Sequence, residues 1–93
     1  MTSGWVDPFA YEISKEKAGT LGRVGRGLEK TLAALESCTD GAKREELIWD
    51  ASELVTSLVV QREACGLRSP GFVFEFYRVP REVIVRMGMR RPV

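Results

Sequence analysis

Three carboxylates are the side chains best placed for acid–base chemistry or cation binding in this sequence of 93 residues. Glu12 and Glu16 lie four residues apart and share one face of a helix, and Glu63 approaches them if the chain folds as a helical hairpin. The sequence contains no histidine, the commonest metal ligand and general base near neutral pH. Helical di-metal sites use Glu-x-x-His pairs. Surface ion pairs explain these carboxylates more simply, so we predict no catalytic residue, no metal site and no cofactor.

Two cysteines are the remaining candidates for metal or redox chemistry. Cys38 and Cys65 alone cannot form a tetrahedral zinc site. If they stand at opposite ends of one helix, they are about 35 Å apart, far beyond the roughly 7 Å between the α-carbons of a disulfide. We therefore predict two reduced, partly buried thiols.

The glycine-rich stretch AGTLGRVGRG, residues 18–27, invites comparison with a phosphate-binding loop. A P-loop requires GxxxxGK[ST], but here two residues separate the last glycine from Lys30, which misplaces the lysine. The third glycine position of GxGxxG is also occupied by Lys30. Small residues on one helix face allow close packing of a neighbouring helix. The stretch therefore favours a continuous helix, and the alternative is a break near residues 19–27.

Charge is distributed unevenly along the chain. Residues 1–67 contain eight Lys or Arg and eleven Asp or Glu, net −3, whereas residues 68–93 contain six Arg and two Glu, net +4. Guanidinium groups bind phosphates and carboxylates bidentately, so this end can serve nucleic acid or an acidic partner. A surplus of four charges is small for a nucleic-acid footprint, which favours a solvated face. The candidate basic patch consists of Arg78, Arg81, Arg86, Arg90 and Arg91.

The same segment has some features of a helix-turn-helix. Val79, Pro80 and Ile84 occupy positions typical of its turn, cap and apolar anchor. However, Phe74 stands where a small residue normally lets the helices cross, and Arg78 stands where glycine usually makes the turn. Two short helices that cap the core are the simpler interpretation.

A central helix over residues 41–66 organises the predicted fold. Its apolar residues recur at helical spacing, and further apolar residues widen the stripe beyond what one neighbour can cover. Trp49 lies almost opposite the stripe, so we expect contacts on more than one side. The stripe comprises Leu47, Ala51, Leu54, Leu58 and Cys65, widened by Ile48, Val55, Val59 and Val60.

An antiparallel helical hairpin follows from the segment before it. Asp7 and Pro8 are typical of a helix start, and apolar residues continue at helical spacing over residues 8–38. The turn to the second helix is short, with Thr39 or Asp40 as its cap, so the two helices are neighbours.

The tail is predicted to form two short helices. Gly66 is typical of the left-handed residue that ends a helix, and prolines at 70 and 80 predict helices over residues 70–77 and 80–87, the latter ended by Gly88. The strict alternation of three phenylalanines leaves a β-hairpin as the alternative. We thus predict a single all-α domain over residues 1–93, with residues 1–7 as an extension and 89–93 as a basic tail.

Association is the function that these features favour, most simply as a homodimer of helical bundles. Apolar surface left by the hairpin is enough to pair two chains, although a tail folded back over Trp49 and Val60 would give a monomer. Binding of nucleic acid or an acidic partner is the alternative. No secretory signal or membrane-spanning run is evident, so we expect a cytoplasmic protein. The candidate interface residues are Trp49, Val60, Phe72, Phe74, Phe76 and Tyr77.

Four groups of residues also carry a resemblance: Tyr11-Glu12-Ile13 with Glu16-Lys17-Ala18, Leu21-Gly22-Arg23 with Gly25-Arg26, Gln61-Arg62-Glu63-Ala64-Cys65-Gly66-Leu67, and Val79-Pro80-Arg81-Glu82-Val83 with Arg86-Met87-Gly88. They resemble a small bacterial protein family of unknown function, over most of residues 9–88. The resemblance implies a small, mainly helical bacterial protein. It implies no activity, substrate or ligand.

Overall fold

The computed structural model describes residues 19–67 and 70–92, and within these ranges the chain forms α-helices and no strand. The all-α prediction is confirmed, and the β-hairpin alternative for the tail is wrong. The predicted helix start at Asp7 and Pro8, and the predicted helix over residues 8–18, lie outside the described residues. In chain order the helices are α1 (Gly19–Ser37), α2 (Gly41–Ala64), α3 (Pro70–Tyr77) and α4 (Arg81–Ile84).

Helices α1 and α2 form the predicted hairpin, with a three-residue connection between them. Asp40 is the N-cap of α2, because its Oδ1 accepts hydrogen bonds from the backbone N–H groups of Ala42 at 3.0 Å and Lys43 at 3.4 Å. These bonds satisfy two donors that have no partner inside the helix. Of the two predicted caps, Asp40 rather than Thr39 makes these bonds.

The glycine-rich stretch is helical from Gly19 onward, so no break interrupts α1 over its described length. Gly22 and Gly25 are buried, as expected for a face against neighbouring residues. At Gly27, which is half-buried, a methyl group would meet Leu54 Cδ2 at 3.9 Å, an ordinary contact. Close approach of α2 therefore does not require glycine at position 27.

The core lies between the hairpin and the tail. Three leucines recur every seven residues along α1, and the buried line on α2 follows steps of three and four. The buried line differs from the predicted stripe by about one position. Ile48 and Val55 are buried, whereas Leu47 and Leu54 are only half-buried at its edge. The buried apolar cluster comprises Leu21, Leu28, Leu35, Ile48, Ala51, Val55, Leu58, Val73, Val79 and Val83.

Arg62 continues the buried line of α2 one turn beyond Leu58, with 0% of its surface exposed. Its guanidinium carbon lies 4.7 Å from the centre of the Phe72 ring, so the cation stacks on an aromatic face. A sequence pattern assigns arginine to the surface by default. The buried stripe of α2 is therefore longer than its apolar residues indicate.

Helices α2 and α3 end in the same hydrogen-bonded motif. At the end of α2, Gly66 has φ 75°, and the N–H of Leu67 donates to Arg62 O at 2.9 Å, as predicted from the glycine. At the end of α3, the N–H of Val79 donates to Phe74 O at 3.0 Å, but the left-handed residue is Arg78, with φ 54°. A side chain thus occupies a conformation that favours glycine.

The second tail helix is shorter than the predicted span of residues 80–87. Only Arg81–Ile84 is α-helical, and Pro80 is its N-cap. The chain continues in turns in which the N–H groups of Arg86 and Met87 donate three residues back. β-Branched residues favour helices weakly, and Gly88, with φ 79°, ends the turns.

Cys38 and Cys65 are both free thiols, just before and just after α2. Cys38 is half-buried, as predicted. Cys65 is exposed, so its predicted partial burial is wrong. The reason is its position beyond the last turn of α2, where the chain bends away.

Replacing Asp40 by alanine should lower the free energy of unfolding by about 1 kcal/mol, because two backbone donors at the start of α2 lose their acceptor. Urea denaturation followed by circular dichroism measures the change. Thr39→Ala is the matched control and should have a much smaller effect. An equal loss in both variants would contradict the assignment of Asp40 as the cap.

Candidate functional site

Two of the predicted interface residues have opposite surroundings. Trp49 is only 7% exposed, and the guanidinium carbon of Arg86 lies 5.4 Å from the centre of its ring. The C-terminal segment therefore covers Trp49 from within the same chain. Val60 remains 59% exposed, so the tail does not cover both residues.

The aromatic residues of α3 are grouped but not fully buried. Val73 alone is fully buried in this helix, and four aromatic side chains are half-buried. The rings of Phe72 and Phe76 are parallel, with centres 6.1 Å apart, and Tyr77 meets Phe76 edge to face at 4.8 Å. Phe74 packs against the core. Phe72, Phe76 and Tyr77 thus form one continuous aromatic surface on α3.

One end of this surface borders an open groove of about 640 Å³. One wall is the C-terminal half of α1, and the other is the end of α3 with the bend that leads to α4. We call residues 78–81 the α3–α4 corner. The groove is lined by Glu29, Leu32, Ala33, Leu35, Glu36, Cys38, Arg44, Phe76, Tyr77, Arg78 and Pro80.

The exposed acidic side chains lie on one wall of the groove, and the exposed arginine lies on the other. Glu29 and Glu36 are exposed on α1, two helical turns apart, and we call them with Ala33 between them the acidic wall. Arg78 is exposed on the corner. Arg44 also lines the groove, but a carboxylate outside the groove engages it. The α1 wall was missed by the sequence analysis, since its residues look like an ordinary solvated face.

Ion pairs attach the C-terminal segment to the first half of α2. Arg44 binds Glu82 through two parallel hydrogen bonds, Nη1 to Oε1 at 2.8 Å and Nη2 to Oε2 at 2.7 Å. Arg86 donates from Nη2 to Glu45 at 2.8 Å and from Nη1 to the backbone oxygen of Glu82 at 2.8 Å. Forked pairs of this kind fix orientation as well as distance.

The predicted basic patch is consequently divided. Arg86 is paired as described, and Arg91 lies 2.7 Å from Asp50 and 3.4 Å from Glu53. Three exposed arginines have no ion pair with any residue of ranges 19–67 and 70–92. These are Arg78, Arg81 and Arg90.

Of the three carboxylate candidates, the described structure includes Glu63 alone. Glu63 is exposed near the end of α2, while Glu12 and Glu16 lie outside the described residues. Over ranges 19–67 and 70–92, no three Cys, Asp or Glu side chains are grouped to hold a metal ion. Within those ranges, every helix is too short or too polar to cross a bilayer.

The fold and groove together define a small all-α protein, in which a helical hairpin and a short helical tail enclose one core and leave an aromatic groove with charged walls. The chain belongs to a family of unknown function, DUF6665, whose model matches residues 4–91. Neither the curated proteins nor the solved structures include a match.

The forked pair between Arg44 and Glu82 predicts a pH-dependent stability. The hydrogen bond from Arg44 is the main cause that lowers the pKa of Glu82 below its usual 4.5, against a smaller opposing effect of burial. Its stabilisation is complete above the pKa of the unfolded chain and is lost as the pH falls through the lower pKa of the folded state. Glu82→Gln should therefore lower the melting temperature at pH 7 and make little difference near pH 3.

Thermal melts between pH 3 and pH 7 measure this difference. Glu75→Gln, an exposed substitution on α3, is the control and should follow the wild-type curve. A deficit of Glu82→Gln that stays constant down to pH 3 would show that the ion pair is not its cause.

Proposed function

We propose that this protein is a non-catalytic self-association module, in which two copies pair over the groove between α1 and the α3–α4 corner. The observation that carries the proposal is the groove itself, with its aromatic lining and exposed walls. Its volume of about 640 Å³ is large enough to receive side chains of another molecule.

The lining has the composition of an association surface. Phe76 and Tyr77 supply large aromatic area, and Leu32 and Pro80 add apolar surface between charged edges. Aromatic residues at the centre and polar residues at the rim are typical of protein interfaces. Half-buried aromatic rings also lose little conformational freedom when they are covered, because they rotate about only two side-chain bonds.

The chemistry of the lining favours binding over catalysis. Cys38 is the one thiol in the groove, and its Sγ donates to the backbone oxygen of Asp40 at 3.5 Å. A thiol nucleophile needs a nearby base, and the sequence has no histidine to supply one. Glu29, Glu36 and Arg78 are exposed at the groove, where they can contact a partner.

Nucleic-acid binding is the less supported alternative. Arg86 and Arg91 pair with acidic residues of α2, which leaves three exposed arginines of the predicted patch. Phosphate binding draws its strength from the number of charges neutralised, and three is few.

Self-association can be tested by sedimentation equilibrium over a wide range of concentrations. We expect a dimer with twice the 10.4 kDa mass of the chain. Ala33→Arg should weaken the dimer at least tenfold, because it places a larger, positively charged side chain in the groove from an exposed helix position. Ala34→Arg is the matched control, since Ala34 is also exposed on α1 but does not line the groove.

A wild-type chain that remains monomeric at the highest concentrations would refute self-association. Equal dimerisation of wild type, Ala33→Arg and Ala34→Arg would place the interface elsewhere on the molecule.

The alternative has a separate test, binding of duplex DNA at low and at physiological salt. We expect no retention at physiological salt. Strong binding that weakens steeply with salt, and is lost when Arg78 and Arg81 are replaced by alanine, would support nucleic-acid binding instead.

A further inference from the structure

We infer that two copies dock reciprocally, so that the α3–α4 corner of each copy, through Arg78 and Arg81, contacts the acidic wall of the other. This inference rests on the proposed self-association and adds the surface, the pairing of charges and the symmetry. The occupant of each groove is thus a second copy of the same chain.

The first argument is charge complementarity. Glu29 and Glu36 are exposed, and neither forms an ion pair with a residue in the described ranges. Arg78 and Arg81 on the corner are in the same state. Two other arginines of the tail are paired, because Arg86 and Arg91 contact acids of α2. Glu29, Glu36 and Arg78 therefore line one groove without neutralising each other, and Arg81 follows Arg78 on the corner.

The second argument is symmetry. The acidic wall and the α3–α4 corner face each other, so two copies related by a two-fold axis through the groove are complementary in charge. Such a rotation sets each acidic wall against the partner's corner and forms the same contact twice. An interface of this isologous type closes after two copies and leaves no surface for further growth.

The third argument is the backbone of Arg78. Its φ of 54° lies in the left-handed region, where a Cβ is unfavourable and glycine is not. The end of α2 uses Gly66 in the equivalent position. At the end of α3 the chain carries a long cationic side chain instead, although folding alone favours glycine. A contact outside the chain explains that choice.

Apolar surface beside the corner adds area to the same interface. Val85 is 53% exposed, and its N–H donates to Arg81 O at 2.9 Å, so it lies one turn beyond Arg81. Val85 therefore extends the surface that Arg81 begins, and it loses contact with water if a second copy covers this face.

A charge exchange between two variants tests the arrangement. The first, the groove variant, carries Glu29→Arg with Glu36→Arg. The second, the corner variant, carries Arg78→Glu with Arg81→Glu. Each variant alone sets like charges against each other at both contacts, and we expect a monomer. An equimolar mixture restores opposite charges at both contacts, because the groove variant receives the altered corner while its own unaltered corner meets an unaltered groove.

Sedimentation equilibrium of the two variants and of their mixture gives the readout. We expect each variant alone to dimerise at least tenfold more weakly than wild type, and the mixture to recover most of the affinity. The control is Arg23→Glu with Arg26→Glu, which changes two exposed arginines of α1 away from the groove and should dimerise like wild type. Circular dichroism verifies that each variant is folded.

Arg78→Gly provides a test that does not depend on reversed charges. It should raise the melting temperature, because glycine suits the left-handed conformation, and should weaken the dimer several-fold. A single change that improves folding while it impairs association cannot act through misfolding.

Three results would overturn the inference: full dimerisation of either variant alone, a mixture that stays monomeric, or undiminished dimerisation of folded Arg78→Gly. In each case a wild-type dimer would leave the proposed self-association standing. A monomeric wild type would remove both.

Discussion

The packing of α1 against α2 is the contact on which the rest of the described structure depends. Leu21, Leu28 and Leu35 bring one apolar face of α1 onto the buried line of α2. The same contact fixes where the C-terminal half of α1 stands, and therefore where one wall of the groove lies. The remaining sides of α2 are then available to the tail, whose Val79 and Val83 complete the core.

Apolar and electrostatic contacts have different tasks in attaching the tail. Exposed ion pairs such as that of Arg86 with Glu45 contribute little to stability one by one, so burial of valines supplies most of the driving force. The forked pair of Arg44 with Glu82 is directional, and it sets the position of α4 along α2. That placement puts Arg86 over Trp49 and leaves Arg78 in the lining of the groove.

Local signals in the sequence are sufficient for most helix boundaries, since caps and turns depend on neighbouring residues. Asp40, Gly66 and Pro70, the first residue of α3, all act where their residue types predict. Burial is harder to predict, because a charged side chain such as Arg62 enters the core only when a distant ring, here Phe72, lies over it. The groove also depends on tertiary packing. Phe76 can be predicted as an interface residue because it is aromatic, whereas Glu36 has the sequence pattern of an ordinary solvated helix residue.

The distribution of glycine makes the two ends of the hairpin unequal. Residues 19–27 contain four glycines and residues 28–37 contain none. Each glycine in a helix interior costs about 1 kcal/mol relative to alanine, and the contacts of Gly27 do not require it. Thermal opening should therefore start at the glycine-rich end of α1 and proceed toward the connection capped by Asp40. The groove lies near the Asp40 cap. Its walls should therefore keep their relative positions while the glycine-rich end of α1 exchanges its amide hydrogens.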